Sequence, residues 1–281
     1  MNFGGAEVVY DYSGSGIIIV PVPYDGTSTW MKGSDKGPDA IMEASVNLEF
    51  YDLETATEVH KKGIHTIDPV LEKSSPDALI RAVHHKILQL LGEKKFPVTV
   101  GGNHTVSIGA IKAFSENYSD FSVLQLDAHS DLRQEYEGSR FNHACAMARC
   151  GEYAPFVQVG IRSMSAEELP YVDPERIFYS HDLYYNKNLY KKAIEKLTGN
   201  VYITIDLDVF DPSLMPSTGT PEPGGPDYFE LMHFLKDVAA KRNIVGFDVV
   251  ELCPSPGNKY PDFVAAKVIY QLLSYIFSPL S

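Results

Sequence analysis

Two aspartates and a histidine stand at alternate positions directly after a short apolar run. The run, Phe121–Leu126, is typical of a strand buried on both faces, and Asp127, His129 and Asp131 follow it. Side chains at alternate positions of an extended segment point the same way, so these three are expected to converge. Two carboxylates and an imidazole on one face are costly without a counter-charge, which a divalent cation could supply. The alternative is a solvated acidic loop that contains a histidine.

Four further residues able to bind metal ions or transfer protons stand at or just after the ends of three other apolar runs. They are His104, Asp206, Asp208 and Glu251. In open parallel sheets, ligands bind at the carboxyl ends of the strands, where side chains from several strands meet. Because repetition over four strands is hard to explain as solvated loop charge, the sequence predicts one shared site.

The predicted metal ligands are two histidines and four aspartates, namely His104, Asp127, His129, Asp131, Asp206 and Asp208. This set exceeds the roughly four ligands that one Zn²⁺ takes, and zinc prefers nitrogen and sulfur. It suits two divalent ions that share bridging carboxylates, and a carboxylate-rich set with some imidazole fits Mn²⁺. Two ions about 3.5–4 Å apart can turn a bound water into hydroxide, so the predicted chemistry is hydrolysis with metal hydroxide as nucleophile.

The elements that must position these residues alternate between strand and helix. Strands are predicted at residues 16–22, 96–100, 121–126, 156–161, 176–179, 200–205 and 243–250. Helices are predicted at residues 39–48, 76–92, 105–117, 141–150, 183–197, 228–240 and 261–277. This alternation predicts an α/β fold, with helices on both faces of a mostly parallel sheet. We expect one three-layer αβα domain over residues 1–281.

Composition limits the classes of partner. The net charge is −13, from 24 basic and 37 acidic residues, so no basic field is available for nucleic acid, and a cationic substrate is mildly favoured. No apolar run reaches membrane-spanning length, and the first ten residues lack a signal-peptide pattern, so no membrane partner is expected. Cys145, Cys150 and Cys253 lack paired spacing and are expected to be packing thiols, which indicates a cytoplasmic protein.

The motifs around the predicted ligands resemble those of the ureohydrolase family, which contains arginases and agmatinases. The three main motifs are Gly101-Gly102-Asn103-His104, Asp127-Ala128-His129-Ser130-Asp131 and Asp206-Leu207-Asp208-Val209-Phe210-Asp211-Pro212. Two shorter pieces agree, Gly219-Thr220-Pro221 and Val249-Val250-Glu251. The order and spacing match over nearly the whole chain. Asn103 departs from the usual Asp or Glu, at a position that is not a ligand in the family.

The resemblance implies an arginase/deacetylase-like fold and a binuclear manganese centre with two Mn²⁺ per subunit. By position, one ion is bound by His104 and Asp131 and the other by His129 and Asp208, while Asp127 and Asp206 bridge. The resemblance also implies three catalytic roles, each for one residue. Asp131 would hold the nucleophilic hydroxide, Glu251 would bind the substrate guanidinium, and His143 would protonate the leaving amine.

The resemblance favours agmatine as the substrate, which would be cleaved to urea and putrescine and would place the enzyme in polyamine biosynthesis. The loop at residues 132–142 lacks the run of Thr, Ser and Asn with which arginases hold the amino-acid end of arginine. Glu135, Glu137 or Glu222 could offset agmatine's distal amine, and the sequence does not choose among them. Arginine, guanidinobutyrate or a longer agmatine derivative stay open. A homo-oligomer, trimer or hexamer, is expected from the resemblance.

Two other classes of protein remain as alternatives. One is a metal-dependent amide hydrolase such as a deacetylase, which shares the general fold but needs one zinc and fewer acidic ligands. The other is a non-catalytic binding protein that keeps the scaffold. Loss of a ligand or of Glu251 would favour the binding protein, and all of these residues are present.

Overall fold

The structure, a computed structural model, describes residues 1–278 and contains an eight-stranded sheet. The strands are β1 Ile17–Val22, β2 Ile64–Thr66, β3 Phe96–Gly101, β4 Phe121–Leu126, β5 Phe156–Ile161, β6 Ile177–Tyr179, β7 Asn200–Asp206 and β8 Asn243–Val250. Every neighbouring pair is parallel, in the order β2-β1-β3-β8-β7-β4-β5-β6. The predicted α/β class with a mostly parallel sheet is confirmed.

Helices cover both faces of this sheet. They are α1 Gly37–Ser45, α2 Pro76–Gly92, α3 Thr105–Asn117, α4 Ala146–Cys150, α5 Ser180–Tyr185, α6 Asn188–Glu195, α7 Tyr228–Lys241 and α8 Tyr260–Phe277. One hydrophobic cluster joins the sheet to α1, α7 and α8, and a second joins it to α2 and α3. Along β1, Ile17 and Ile19 belong to the first cluster while Ile18 and Val20 belong to the second, because successive side chains point to opposite faces. The predicted three layers are therefore confirmed.

The longest described helix, α8, packs along the sheet. Pro261 stands in its first turn, where the missing N–H costs no intrahelical bond. Val264, Ile269 and Leu272 are buried in the first hydrophobic cluster. Among the helices within residues 1–278, none is both long enough and apolar enough to cross a membrane.

The single helix predicted at residues 183–197 is wrong, because the chain forms two helices there. Helix α5 ends at Tyr185, and α6 begins at Asn188. Between them, Asn186 leaves helical geometry, with φ −139° and ψ 87°. Its side-chain oxygen accepts a hydrogen bond from the N–H of Asn188 at 3.2 Å. Asparagine competes with helical hydrogen bonds in this way and favours turns.

The four strands that lead to the candidate ligands are neighbours at the centre of the sheet. Strand β3 precedes His104, β8 precedes Glu251, β7 ends at Asp206 and β4 precedes Asp127. Their order is β3-β8-β7-β4, and Asp206 pairs with Val250, the residue before Glu251. Since all four strands are parallel, their carboxyl ends meet at one edge, where a ligand site is expected.

Candidate metal centre

A tight turn after β3 places His104 at the start of α3. The N–H of Gly102 donates to the carbonyl of Val22 at 2.9 Å, and the N–H of Asn103 donates to the carbonyl of Tyr24 at 2.7 Å. A Cβ at Gly102 would lie 1.9 Å from the Tyr24 carbonyl oxygen, so only glycine allows this close approach. His104 therefore enters the site from a backbone that is held against the loop after β1.

The stretch after β4 is a turn, so the prediction that an extended backbone aligns its side chains is wrong. Strand β4 ends at Leu126, and Asp131 has a left-handed backbone with φ 53°. The N–H of His129 donates to Asp127 Oδ1 at 2.6 Å, which closes the turn. Convergence nevertheless occurs, because carboxylate oxygens of Asp127 and Asp131 lie 3.1 and 3.0 Å from the same atom, His104 Nδ1.

Two groups of three side chains have ligand atoms close enough to hold one cation each. The first cation group is His104, Asp127 and Asp206, and the second cation group is Asp127, His129 and Asp208. Within each group, the candidate ligand atoms all lie within 4.8 Å of one another. Asp127 belongs to both groups, as a carboxylate that bridges two ions must.

The distances show how Asp127 serves both groups. In the first, His104 Nδ1 lies 3.1 Å from Asp127 Oδ2 and 3.5 Å from Asp206 Oδ2. In the second, His129 Nδ1 lies 3.7 Å from Asp127 Oδ1 and 2.9 Å from Asp208 Oδ2. Asp127 thus offers one oxygen to each group. With Asp131 also against His104, the structure brings all the predicted metal ligands into one cluster.

The hydrogen bonds behind His104 fix which of its ring nitrogens faces the cluster. Asp248 accepts hydrogen bonds from the hydroxyls of Tyr202 at 2.8 Å and Thr204 at 2.6 Å. Because its hydrogen is directed to Asp248, Thr204 Oγ1 accepts from His104 Nε2, 2.9 Å away. Nδ1 therefore faces the carboxylates of Asp127 and Asp131, and although burial lowers the pKa of His104, the contacts with these carboxylates raise it well above its usual range. A ring nitrogen held among carboxylate oxygens is a set of donors that fits a divalent metal ion, which would take the place of a proton on Nδ1.

Burial and the charges of the cluster together raise the pKa values of Asp206, Asp131 and His129. Burial, followed by the charges of Asp208 and Asp127, raises the pKa of Asp206 well above its usual range. Burial, followed by the charge of Asp127, raises the pKa of Asp131 to about 6. Burial alone would lower the pKa of His129, but the charge of Asp208 and contacts with Asp127 raise it to about 12. The cluster concentrates more negative charge than its protein surroundings balance, which suits cationic ligands.

Glu251 points its carboxylate at the first cation group. Its Oε1 accepts a hydrogen bond from the backbone N–H of His104 at 2.8 Å, and its own backbone is left-handed, with φ 67°. A Cβ at Gly219 would lie 3.6 Å from Oε2, so glycine leaves the space beside this oxygen open. Burial raises the pKa of Glu251 to about 8. The carboxylate is therefore fixed through one oxygen, while the other borders open space.

His143 lines the same cavity without belonging to either cation group. Its backbone N–H donates to Thr27 Oγ1 at 3.3 Å, and its ring meets that of Tyr136 edge-on, with centroids 6.5 Å apart. Burial lowers the pKa of the imidazole to about 4, so the ring is neutral near pH 7. A neutral imidazole has one nitrogen that donates and one that accepts, as a proton carrier needs.

A cavity of about 170 Å³ opens over the cluster. Arg133 and Tyr136 form part of its wall with His143, and Trp30, which is 70% exposed, stands on its lip. The Arg133 guanidinium lies 4.6 Å from the centre of the Tyr136 ring, so this part of the wall is a stacked pair. A cavity with a charged floor and an aromatic rim suits a small, polar and extended ligand.

The structure distinguishes among Glu135, Glu137 and Glu222, the three candidates to offset the distal amine of agmatine. Glu222 Oε1 lies 4.0 Å from Nε2 of His129, which lines the cavity. Glu135 and Glu137 are exposed, and none of the three carboxylates lines the cavity in the described chain. Of the three, Glu222 is therefore the one whose carboxylate lies near a residue of the site.

Sequence reasoning missed the polar residues behind the ligands. Gln125 Nε2 donates to Asp127 Oδ2 at 2.7 Å, and Gln158 Nε2 donates to Gln125 Oε1 at 2.6 Å. In the same manner, Thr204 contacts His104, and Asp248 in turn holds Thr204. All four are buried polar residues inside otherwise apolar strands, and that pattern is the signal by which they could have been found.

The three cysteines are free thiols and take no part in either cation group. Cys145 and Cys150 are buried, as expected for packing residues, and burial raises the pKa of Cys150 well above its usual range. The partly exposed Cys253 donates to the carbonyl of Lys32 at 3.5 Å.

The chain matches known proteins along almost its whole length. The sequence profile of the Arginase family matches residues 15–274. An N(1)-aminopropylagmatine ureohydrolase of Synechocystis sp. is 36% identical over 285 residues, which cover 98% of this chain and 93% of that protein. An agmatinase of Pyrococcus horikoshii is 33% identical over 266 residues, which cover 94% of this chain and 93% of that protein.

Solved structures share the fold. The agmatine ureohydrolase of Thermoplasma volcanium superposes with a TM-score of 0.87 at 30% identity, covering 98% of this chain and 94% of that chain. An arginase from Bacillus subtilis superposes with a TM-score of 0.79 at 22% identity, covering 95% of this chain and 100% of that chain. The second likeness concerns the fold alone, and together they confirm the predicted arginase-like fold.

Proposed function

The chain belongs to the arginase family, and from that membership we propose that it is a binuclear manganese ureohydrolase that cleaves agmatine to urea and putrescine. The observation that carries the proposal is the pair of cation groups that share Asp127. Beside the shared Asp127, one group contains His104 and Asp206 and the other contains His129 and Asp208, and Glu251 adjoins the first. One buried cluster thus provides places for two ions and a carboxylate for a cationic substrate.

In the proposed centre, each ion has one histidine and one aspartate of its own, and two aspartates bridge the ions. The ligands are His104 and Asp131 for one ion, His129 and Asp208 for the other, and Asp127 and Asp206 for the bridges. The closest approach of His104 Nδ1 to a carboxylate is 3.0 Å, to Asp131, and that of His129 Nδ1 is 2.9 Å, to Asp208. Mostly carboxylate ligands with some imidazole support Mn²⁺.

Asp131 orients the attacking water in the proposed reaction. Divalent ions bound by these residues would lower the pKa of a bound water toward neutrality and so would supply the nucleophile. Asp131 Oδ2 lies against His104 Nδ1, which leaves Asp131 Oδ1 to accept a hydrogen bond from the water. The left-handed backbone at Asp131 turns its side chain into the cluster and supports this second role.

Glu251 binds the guanidinium in the proposed complex. The N–H of His104 holds Oε1, so Oε2 can accept charge-assisted hydrogen bonds from the substrate. The open space beside Gly219 leaves room for the planar group to approach that oxygen. Held in this way, the guanidinium carbon faces the ligand cluster, and water attacks without a diffusional search.

His143 carries the proton that the leaving amine requires. Attack forms a C–O bond at the guanidinium carbon, and departure of the amine breaks a C–N bond. The amine nitrogen must gain a proton as it leaves, and the water must lose one. His143 stands on the cavity wall outside the cation groups and is neutral near pH 7, so it can pass this proton from one to the other.

A longer substrate, N1-aminopropylagmatine, is the second candidate. Relatives named N(1)-aminopropylagmatine ureohydrolase are 36, 35 and 34% identical to this chain, and relatives named agmatinase are 33 and 34% identical. Both compounds present a guanidinium at one end and amines beyond it. We propose that Glu222 offsets the nearer amine, because its carboxylate approaches the cavity wall at His129.

Urea release distinguishes these substrates. Protein loaded with Mn²⁺ is assayed with agmatine, N1-aminopropylagmatine, arginine and 4-guanidinobutyrate. We expect the first two to have the higher kcat/KM, because the last two place a carboxylate near an acidic site. Arginine as the best substrate would show that agmatine is the wrong assignment. Elemental analysis should find two Mn per chain, and one zinc per chain would favour the deacetylase class.

The proposed partners are small cationic guanidino compounds rather than nucleic acid or membranes. We also propose a cytoplasmic homo-oligomer, trimer or hexamer, built from a single domain. The family resemblance supports the assembly, and the free cysteines support the location. Light scattering on the purified protein should give three or six times the chain mass of 31.2 kDa, and a monomer would contradict this.

A further inference from the structure

Arg162, just beyond the end of β5, is bound by backbone carbonyls from three separate segments. Its Nη1 donates to Gly160 at 3.0 Å and Val209 at 3.1 Å. Its Nη2 donates to Asp208 at 2.6 Å and Phe210 at 3.2 Å. Nε and Nη2 also reach the carbonyl of residue 222, at 3.2 and 2.8 Å. All the N–H groups of one guanidinium are thus directed to the main chain of β5, of the turn after β7 and of the following loop.

The main chain of the same segment holds the turn after β4. The N–H groups of Arg162 and Ser163 both donate to the carbonyl of Ala128, at 2.8 and 3.0 Å. Ser130 N–H donates in return to the carbonyl of Ser163 at 3.3 Å. Ala128 lies between Asp127 and His129, so this segment holds the backbone that carries two members of the second cation group.

The guanidinium holds Asp208 by its carbonyl and not by its carboxylate. Asp208 Oδ1 accepts from the N–H of Ala128 at 3.0 Å, and Oδ2 lies 2.9 Å from His129 Nδ1. A positive charge paired with this carboxylate would compete with a metal ion for its oxygens. Arg162 instead fixes the turn from behind, so it positions Asp208 without pairing a positive charge with its carboxylate.

The first cation group is held by different contacts. The turn at Gly102 and the hydroxyl of Thr204 position His104, and neither contacts the Arg162 guanidinium in the hydrogen bonds of the described chain. We propose that Arg162 is a positioning residue for the second cation group. Its guanidinium fixes the turn that carries Asp208 against β5 and the loop at residue 222, while its backbone N–H binds the turn that carries His129. This inference rests on the proposed two-ion function of the cluster.

The test measures metal content rather than activity. Wild type, Arg162→Lys, Arg162→Gln and the control Arg149→Lys are loaded with Mn²⁺ and dialysed against buffers of fixed free Mn²⁺. Bound Mn per chain is then counted by elemental analysis. Arg149 is a suitable control because it is buried, whereas Arg162 is only partly buried, and because its guanidinium binds the side chains of Glu152 and Gln134 and not backbone around the site.

We expect the control to bind two ions as the wild type does. Both Arg162 variants should bind one ion normally and the other about 10–100-fold more weakly. A loss of this size is typical when a residue that supports a metal ligand is mutated. Lysine retains the charge, but three donors cannot reach all three segments, so Arg162→Lys should not restore the second ion.

Three results would overturn the inference. If both Arg162 variants bound two ions with wild-type affinity, the hydrogen bonds of the guanidinium would not matter for metal binding. Equal loss of both ions, or failure of both variants to fold while Arg149→Lys folds, would show a general structural role. Fewer than two ions in the wild type would contradict the proposed function itself. A failure of the Arg162 inference alone would leave two ions in the wild type, so the two outcomes can be told apart.

Discussion

Two carboxylate residues of the site adopt backbone conformations that residues with a Cβ avoid. Asp131 and Glu251 have φ of 53° and 67°, in the left-handed region, which costs roughly 1–2 kcal/mol for such a residue. Both side chains reach His104, one at its Nδ1 and the other at its backbone N–H. The surrounding structure therefore stabilises strained backbone at the two positions where it directs a carboxylate to the same histidine, as is common at functional sites.

At Asp127, the change to alanine should remove both metal ions together with activity. The carboxylate offers one oxygen to each cation group, so neither group remains complete. We expect Mn²⁺ affinity to fall at least about 100-fold, since even residues behind metal ligands contribute about 10–100-fold. Elemental analysis and urea release measure the two effects. Asp237→Ala, an exposed acid on α7, is the control, and two tightly bound ions in Asp127→Ala would contradict a bridging role.

At Glu251, the change to glutamine should separate substrate binding from metal binding. The amide oxygen can still accept the N–H of His104, so the first cation group keeps its geometry. The lost charge weakens the hydrogen bonds to the guanidinium by about 2 kcal/mol, or roughly 30-fold in kcat/KM. Two Mn per chain with a raised KM for agmatine is the expected result. Normal turnover of agmatine would show that Glu251 does not bind the guanidinium.

Among the secondary-structure elements, the strands that lead to the site were predictable. Each is a mostly apolar run, and β4, β5 and β8 begin and end where the sequence predicts. The six proposed metal ligands end or follow such runs, which is why the strand-end argument brought them together as candidates. The turn at residues 127–131 was not predictable from alternation, because a left-handed residue reverses the chain there. Arg162 was missed because its partners are backbone carbonyls, which no pattern of side chains encodes.

The turn between β3 and α3 should not tolerate a side chain at Gly102. An added Cβ would lie 1.9 Å from the carbonyl oxygen of Tyr24 and 2.7 and 2.8 Å from two further backbone atoms of the same residue. Gly102→Ala should therefore lower the free energy of unfolding by about 1–3 kcal/mol, and it should weaken Mn²⁺ binding by displacing His104. Gly92→Ala is the matched control, because a Cβ at this last residue of α2 meets nothing within 4 Å. Equal denaturant midpoints for the two variants would show that the turn is not constrained.

The molecule as a whole is acidic, with a net charge of −13. The site adds its own carboxylates at one edge of the sheet, where the cavity opens. A negative field over a cavity attracts cations and raises their rate of association. The proposed substrates carry a positive charge at each end, so the charge of the whole protein and the chemistry of the site favour the same ligands.

Salt should therefore reduce kcat/KM for agmatine. Raising NaCl from 20 to 500 mM shortens the screening length from more than about 10 Å to less than about 8 Å, and we expect a fall of roughly several-fold. The comparison substrate is 4-guanidinobutyrate, whose net charge is zero near pH 7. Initial rates of urea release at a range of salt concentrations measure both. An equal fall for the two compounds would show that the field of the protein contributes nothing.

The central place of the four site strands also bears on the kinetics of folding. His104 and Glu251 touch across 147 residues of chain, and closing such long loops is slow and entropically unfavourable. The two ions can then bind only after the rate-limiting step, so Mn²⁺ should slow unfolding and leave the refolding rate unchanged. Stopped-flow traces with Mn²⁺ and with chelator should coincide in refolding and differ in unfolding. Metal binding would then slow the unfolding of the completed sheet without speeding its formation.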